Sequence, residues 1–207
     1  MLRLGDKSIS KLYLGDKAIS KAYLGDKLVF QAGGRFVKSI LFDGASVIDT
    51  GIAHQTCDIE CDIRFEETGT RQLMGFGTAT GHFWGAGATG IFDYMTGTNA
   101  LDRTLVTINV NATDINITVN ADGKSRTGSK GNSLSSLKYG IGAAPTGVSS
   151  SSYWCTCEVW GNKFYIGGEL IQDLRPYVDE NGVACFKDVV TGNIFYNQGT
   201  GTLGYTE

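Results

Sequence analysis

From residue 36 onward, apolar and polar side chains alternate with a period of two, the pattern of strands buried on one face. The segment 57–65 is the clearest case. Cys57, Ile59, Cys61, Ile63 and Phe65 point one way; Asp58, Glu60, Asp62 and Arg64 point the other. The same reading predicts strands over 36–42, 47–52, 72–77, 82–85, 91–95, 105–110, 115–119, 137–141, 153–160, 163–166, 169–174, 183–188 and 193–197. Turn signals separate them at Asp43-Gly44, 111–114, Asp122-Gly123, Gly167-Gly168 and Thr191-Gly192, and a Gly/Pro/Ser-rich loop spans 142–152. No segment carries a helical period. About a dozen short strands at regular spacing predict an all-β, antiparallel fold, and their number favours a two-sheet jelly-roll sandwich over a small barrel.

The first thirty residues follow a different rule, a repeat of ten. Leu4-Gly5-Asp6-Lys7 recurs as Leu14-Gly15-Asp16-Lys17 and Leu24-Gly25-Asp26-Lys27. Gly-Asp suits a two-residue type II′ hairpin loop, because glycine supplies the positive φ at the first central position. Eight residues then remain per strand, about 26 Å at roughly 3.3 Å per residue. The segment is expected to form a small β-meander. Its apolar residues fall on both faces, with no covering element inside the repeat, and such a sheet is marginal in water. This divides the chain into an attachment or oligomerisation stub, residues 1–33, and a sandwich domain, residues 34–207. Ile9, Leu12, Tyr13, Leu14, Ile19, Tyr23 and Leu24 are the expected assembly contacts.

Composition sharpens this picture. Glycine supplies 29 of 207 residues and proline only 2, which means many tight turns without a collagen period. Residues 1–33 carry six basic and three acidic side chains, net +3; the whole chain is −3, so residues 34–207 are −6. That balance argues against a nucleic-acid surface on the main domain. No apolar run approaches the ~18 residues of a membrane span, and the N-terminus lacks the apolar stretch of a signal peptide, so synthesis and folding in a cytoplasm are expected. The five cysteines, Cys57, Cys61, Cys155, Cys157 and Cys185, are odd in number and alternate with polar residues. They are expected to be reduced, small core side chains.

A resemblance enters at two stretches. Residues 42–51, Phe-Asp-Gly-Ala-Ser-Val-Ile-Asp-Thr-Gly, resemble the opening strand pair of concanavalin A-like (laminin G-like) jelly-roll domains of phage adhesion and tail proteins, with Val47 where tyrosine is usual. Asp173-Leu174-Arg175-Pro176, residues 181–188 and residues 190–201 (Val-Thr-Gly-Asn-Ile-Phe-Tyr-Asn-Gln-Gly-Thr-Gly) are similar to their closing segment. The resemblance covers roughly 36–201, apart from 66–100. It implies a bacteriophage virion protein, a tail or fibre adhesin. The repeat would join it to other virion proteins as a homo-oligomer, with a trimer favoured. The head would present a site for a host surface glycan at the virion surface. A head-fibre or capsid-decoration protein without a receptor role, and a jelly-roll glycoside hydrolase, are the alternatives. No nucleic acid, membrane insertion, metal or cofactor is implied.

Sugar recognition combines an aromatic ring against an apolar sugar face with fixed polar groups for the hydroxyls. The richest such stretch gives Trp84, Asp93, Tyr94, Asn99 and Arg103 as candidate ligand contacts; Trp160 reads as core or sheet face. The acid row Asp58, Glu60, Asp62 resembles the Glu-x-Asp-x-Glu strand of some jelly-roll glycosidases, but Arg64 stands where the third acid would be. A solvated strand face is therefore expected, with no catalytic residues. Gly85-Ala86-Gly87-Ala88-Thr89-Gly90 matches a dinucleotide fingerprint in letters only, because a strand-like segment follows it where a helix is required.

Overall fold

The computed structural model describes residues 3–4, 7–8, 12–14, 17–19, 21–25, 27–31, 33–53, 55–66, 74–75, 83–84, 103–111, 116–121, 124–129, 138–142 and 155–207. Among them there is no helix, and every strand pairing is antiparallel.

The repeat forms three hairpins: β1 (Arg3–Leu4) with β2 (Lys7–Ser8), β3 (Leu12–Leu14) with β4 (Lys17–Ile19), and β5 (Lys21–Leu24) with β6 (Lys27–Gln31). Their closing pairs are Leu4↔Lys7, Leu14↔Lys17 and Leu24↔Lys27, with two residues between the paired positions in each copy, as expected. Gly25 has the required positive φ, 61°. Among the described residues each hairpin is its own two-stranded sheet, with strands of two to five residues, in place of the expected meander of eight-residue strands. Only the Gly-Asp end of each repeat carries strong chain-reversing residues. The joins between copies, Ile9-Ser10-Lys11 and Ser20, offer nothing stronger than serine.

The described strands between residues 35 and 206 form two sheets. The larger runs β15 (Lys124–Ser129), β14 (Asn116–Ala121), β13 (Thr104–Asn111), β10 (Cys57–Phe65), β17 (Thr156–Ile166), β18 (Glu169–Val178), β19 (Ala184–Asp188) and β20 (Ile194–Phe195). It also takes in β7 (Arg35–Phe36), β8 (Ser39–Asp43) and β21 (Gly204–Thr206). Strand β17 is the axis: β10 runs along one edge, while β8 and then β18 share the other. The smaller sheet is β12 (Phe83–Trp84), β11 (Met74–Gly75), β16 (Lys138–Ile141) and β9 (Ile48–Ala53).

The two sheets face each other across one core. Ile59, Cys61, Ile63, Val106, Ile108, Val159 and Phe164 from the large sheet meet Ile48, Tyr139 and Ile141 from the small one. Tyr139 and Phe164 meet with ring centroids 5.7 Å apart. Gln172 Nε2 donates across the gap to the Thr50 carbonyl at 2.9 Å. The architecture is an all-β, antiparallel, sandwich-like fold. All five cysteines are free and buried, as their alternation with polar residues implied.

Strand β10 has the bounds that alternation predicted, and Cys57, Ile59, Cys61 and Ile63 are buried as expected. Elsewhere the structure departs from expectation. The single strand expected over 36–42 is β7 and β8, separated at Val37-Lys38 where the chain passes from the edge of β18 to that of β17. The strands expected over 153–160 and 163–166 are one, β17. Strands β15 and β21 were not expected, β15 because Lys-Ser-Arg-Thr-Gly-Ser has no apolar alternation to reveal it. The strand expected over 91–95 lies outside the described residues.

The stretches that carry the phage-domain resemblance stitch the sandwich together. The Asp43 carboxylate accepts from the Ala45 N–H at 3.0 Å, the Ser46 hydroxyl at 2.9 Å and the Thr202 N–H at 2.5 Å. Burial pushes this carboxyl upward, but those bonds outweigh it and hold the group below its ordinary value. Asn197 accepts from the Val47 and Gly199 N–H groups and donates to the Gly201 carbonyl at 2.7 Å. Buried Asp188 accepts from the N–H groups of Asp173 and Val190 and from the Thr191 hydroxyl.

Candidate functional site

The outer face of the large sheet carries the densest group of polar and aromatic side chains. Alternation on β10 turns Asp58, Glu60, Asp62 and Arg64 outward, and each meets a partner on a neighbouring strand. Asp58 accepts from Asn109, its register neighbour on β13. Glu60 accepts from Lys163 Nζ and the Tyr165 hydroxyl, both at 3.2 Å. Asp62 is forked by Arg103 Nε at 2.9 Å and Nη2 at 2.6 Å. Arg64 pairs with Glu66 at 2.6 Å and with buried Glu158 at 2.8 Å. The hydrogen bonds to Asp62 and Glu60 raise the Arg103 guanidinium and the Lys163 ammonium above their ordinary values, so both stay charged at neutral pH.

A β-bulge puts a tryptophan among these groups. Opposite β10 the register passes from Asp62↔Gly161 to Ile63↔Val159, which leaves Trp160 as the extra residue. Cys157 and Val159 are buried on one side of the bulge, Asn162 and Phe164 on the other. Trp160 and Gly161 therefore both fall on the outer face. The Arg103 guanidinium lies over the indole, 4.5 Å from the ring centroid, and Nε1 is buried with no hydrogen-bond partner among the described residues.

Trp160 and Arg175 form a ridge between two depressions. The first, about 240 Å³, is lined by Glu60, Asp62, Leu105, Lys163 and Asp173 besides the ridge. The second, about 460 Å³, is walled by Phe36, Val37, Pro176 and Val189, with Lys38 at its edge. Arg175 spans both and forks Asp173 through Nε at 2.6 Å and Nη2 at 2.7 Å. That hydrogen bonding raises the guanidinium above its ordinary value.

Of the sequence-derived ligand candidates, Arg103 stands at this site. Trp84 lies in β12 opposite Met74, on the other sheet. Asp93, Tyr94 and Asn99 fall outside the described residues. Trp160, Phe36, Lys38 and Arg175 were not singled out. Among the assembly candidates, Leu14 is 76% exposed, Tyr23 57% and Leu24 76%, while Leu12 is half-buried opposite Ile19. Tyr13 lies opposite Ala18; Ile9 falls outside the described residues. Among the described residues no three His, Cys, Asp or Glu side chains converge where a metal ion could be held.

No protein-family model matches the chain, and no curated protein matches it either.

Proposed function

We propose that this chain is a non-catalytic adhesin, a concanavalin A-like jelly-roll head that binds a surface glycan and is attached to a phage particle through its N-terminal repeat as a homo-oligomer. The observation that carries the reading is the Trp160 ridge. A half-buried indole that a bulge turns to the outer sheet face, between depressions edged by charged side chains, has the parts that sugar binding needs. The uncovered Leu14, Tyr23 and Leu24 support the attachment role. No bond-breaking role is assigned to Glu60 or Asp62, because Lys163 and Arg103 already engage them.

A glycan array probed with the full chain and with Trp160→Ala tests the binding role. Binding to at least one glycan, reduced tenfold or more in Trp160→Ala, is the expected result. An empty array with folded protein would leave the second reading, a particle-decorating protein, which the exposed hairpin residues support without any ligand. Release of reducing sugar that disappears in Glu60→Gln would replace both with an enzyme.

A further inference from the structure

The two depressions beside Trp160 differ in charge. Three carboxylates, Glu60, Asp62 and Asp173, line the first. Among the described residues no acidic side chain lines the second; its charged residues are Lys38 and Arg175. Lys38 is exposed at the bend between β7 and β8 and makes no ion pair with a described residue. Arg175 is half exposed, whereas its partner Asp173 is only 6% exposed, so the cation and not the acid faces an incoming ligand. The fork to Asp173 uses Nε and Nη2, and Nη1 lies outside it. Lys187 stands directly opposite Arg175 in the β18–β19 ladder. Like charges so placed oppose folding and add to the local positive potential.

The remaining walls are apolar. Phe36 is 54% exposed and Val189 47%. Phe36 is held edge-on against Tyr177, with centroids 5.2 Å apart. The volume, about 460 Å³, falls within the usual ~300–1,000 Å³ of small-ligand sites. Aromatic walls beside Lys38, which has no ion pair with a described residue, and the half-exposed Arg175 guanidinium suit a ligand that has one apolar face and one anionic group.

We infer that the depression between Phe36 and Trp160 seats an acidic sugar unit of a polysaccharide, its apolar face against the rings and its carboxylate toward Lys38 and Arg175. This rests on the glycan-binding reading above. The domain's net charge of −6 opposes a polyanion at long range, but screening over about 8 Å at physiological salt leaves the local cations to decide.

The test uses the full chain with three acidic polymers, hyaluronan, polygalacturonate and polysialic acid, each beside its carboxyl-reduced form at one ionic strength. Calorimetry should find at least one acidic polymer bound ten times or more tighter than its reduced form. Lys38→Gln should remove most of that difference. Lys138→Gln, the same loss of charge on the other sheet, should leave affinity within twofold. Arg175→Gln should act like Lys38→Gln. Because it strips Asp173 of its partner, it is read only alongside a thermal melt; Lys38→Gln carries no such risk. Equal binding of a polymer and its reduced form would overturn the acidic-sugar inference and leave glycan binding standing. So would a preference for acid that Lys38→Gln does not change. Binding of none of the six polymers would overturn both readings.

Discussion

Arg103 reaches across from the start of β13 to fork Asp62 through Nε and Nη2 while its guanidinium lies 4.5 Å from the centroid of the Trp160 ring. One side chain thus joins the acid row of β10 to the bulge of β17. Its own side chain is 52% exposed and that of Asp62 29%, so solvent screens the pair. A double-mutant cycle on Arg103→Ala and Asp62→Ala should give a coupling of about 0.2–1 kcal/mol, and less in 1 M salt. A coupling well above that range would mean that the pair is shielded from solvent by something more than the sheet face.

Trp160 carries a cost that a smaller ring avoids. Its Nε1–H is buried without an acceptor among the described residues, and such a donor is worth roughly 1–3 kcal/mol of lost stability. Trp160→Phe discards the donor with part of the apolar area, so the two effects offset and stability should change by less than about 1 kcal/mol. Trp160→Ala discards the area as well and should cost clearly more. Urea denaturation of both variants decides this; equal losses would mean that the indole N–H has a partner in solution.

The sandwich was legible wherever alternation was regular. Residues 57–64 could be placed one by one because every inward position is apolar and every outward one charged. The Trp160 ridge was not read from the sequence, although a signal was present. Cys155, Cys157 and Val159 are inward at odd numbers, and Phe164 is inward at an even one. A parity change inside one strand requires an extra residue, and the added residue is the half-buried aromatic Trp160. Lys38 and Arg175 meet only through the pairing of β7 with β18, between segments about 140 residues apart. No local pattern reports that. The Gly-Asp loops were legible as turns, but the independence of the hairpins depends on what the intervening joins lack. The stretches behind the family resemblance hold Asp43, Asp188 and Asn197, whose bonds are structural. They speak for the fold and say little about the ligand.

Gly142 and Gly168 share a positive φ, 85° and 84°, but sit in different surroundings. A Cβ at Gly168 meets nothing, whereas one at Gly142 would stand 2.6 Å from the Phe42 ring and 2.8 Å from the Ser46 carbonyl. Gly168→Ala should cost about 1 kcal/mol, the backbone strain alone. Gly142→Ala adds an overpacking cost of roughly 1–3 kcal/mol. Chemical denaturation of the pair separates the two contributions, and equal losses would show that Phe42 yields freely.

Alkali should unfold the protein through its thiols. Burial pushes Cys57 up to about 11 and Cys61 and Cys185 up to about 12, against an ordinary value of 9.0. Burial likewise pushes Tyr196 up to about 12. The folded state holds these protons more tightly than the unfolded state. The stability they contribute is therefore complete below pH 9 and is lost as pH rises through 11–12. The melting temperature should show no thiol-linked decline between pH 6 and 8 and should fall above pH 9. A thiol reagent at pH 8 should find no reactive cysteine in the native protein and five in denaturant. Rapid labelling of native protein would contradict the burial.

The hairpin repeat makes the final prediction. Leu14 and Leu24 are each 76% exposed, and Tyr23 57%; among the described residues no hairpin strand pairs with either sheet of the sandwich. Among the described residues, the main core, from Ile40 to Leu203, draws none from the repeat. Gly34 is set close against the Tyr177 ring, where a Cβ would clash, so contact with the sandwich begins by residue 34. A chain beginning at Gly34 should therefore fold with nearly the stability of the full protein. Covering three such side chains in an assembly is worth about 1.5–3 kcal/mol each, enough to shape an oligomer interface. Loss of the repeat should accordingly convert an oligomer to a monomer by light scattering without lowering the melting temperature by more than a few degrees. A Leu14→Ser, Leu24→Ser double variant of the full chain should do the same with the backbone intact. If the shortened chain keeps the oligomeric state of the full one, the interface lies on the sandwich and the repeat has another role.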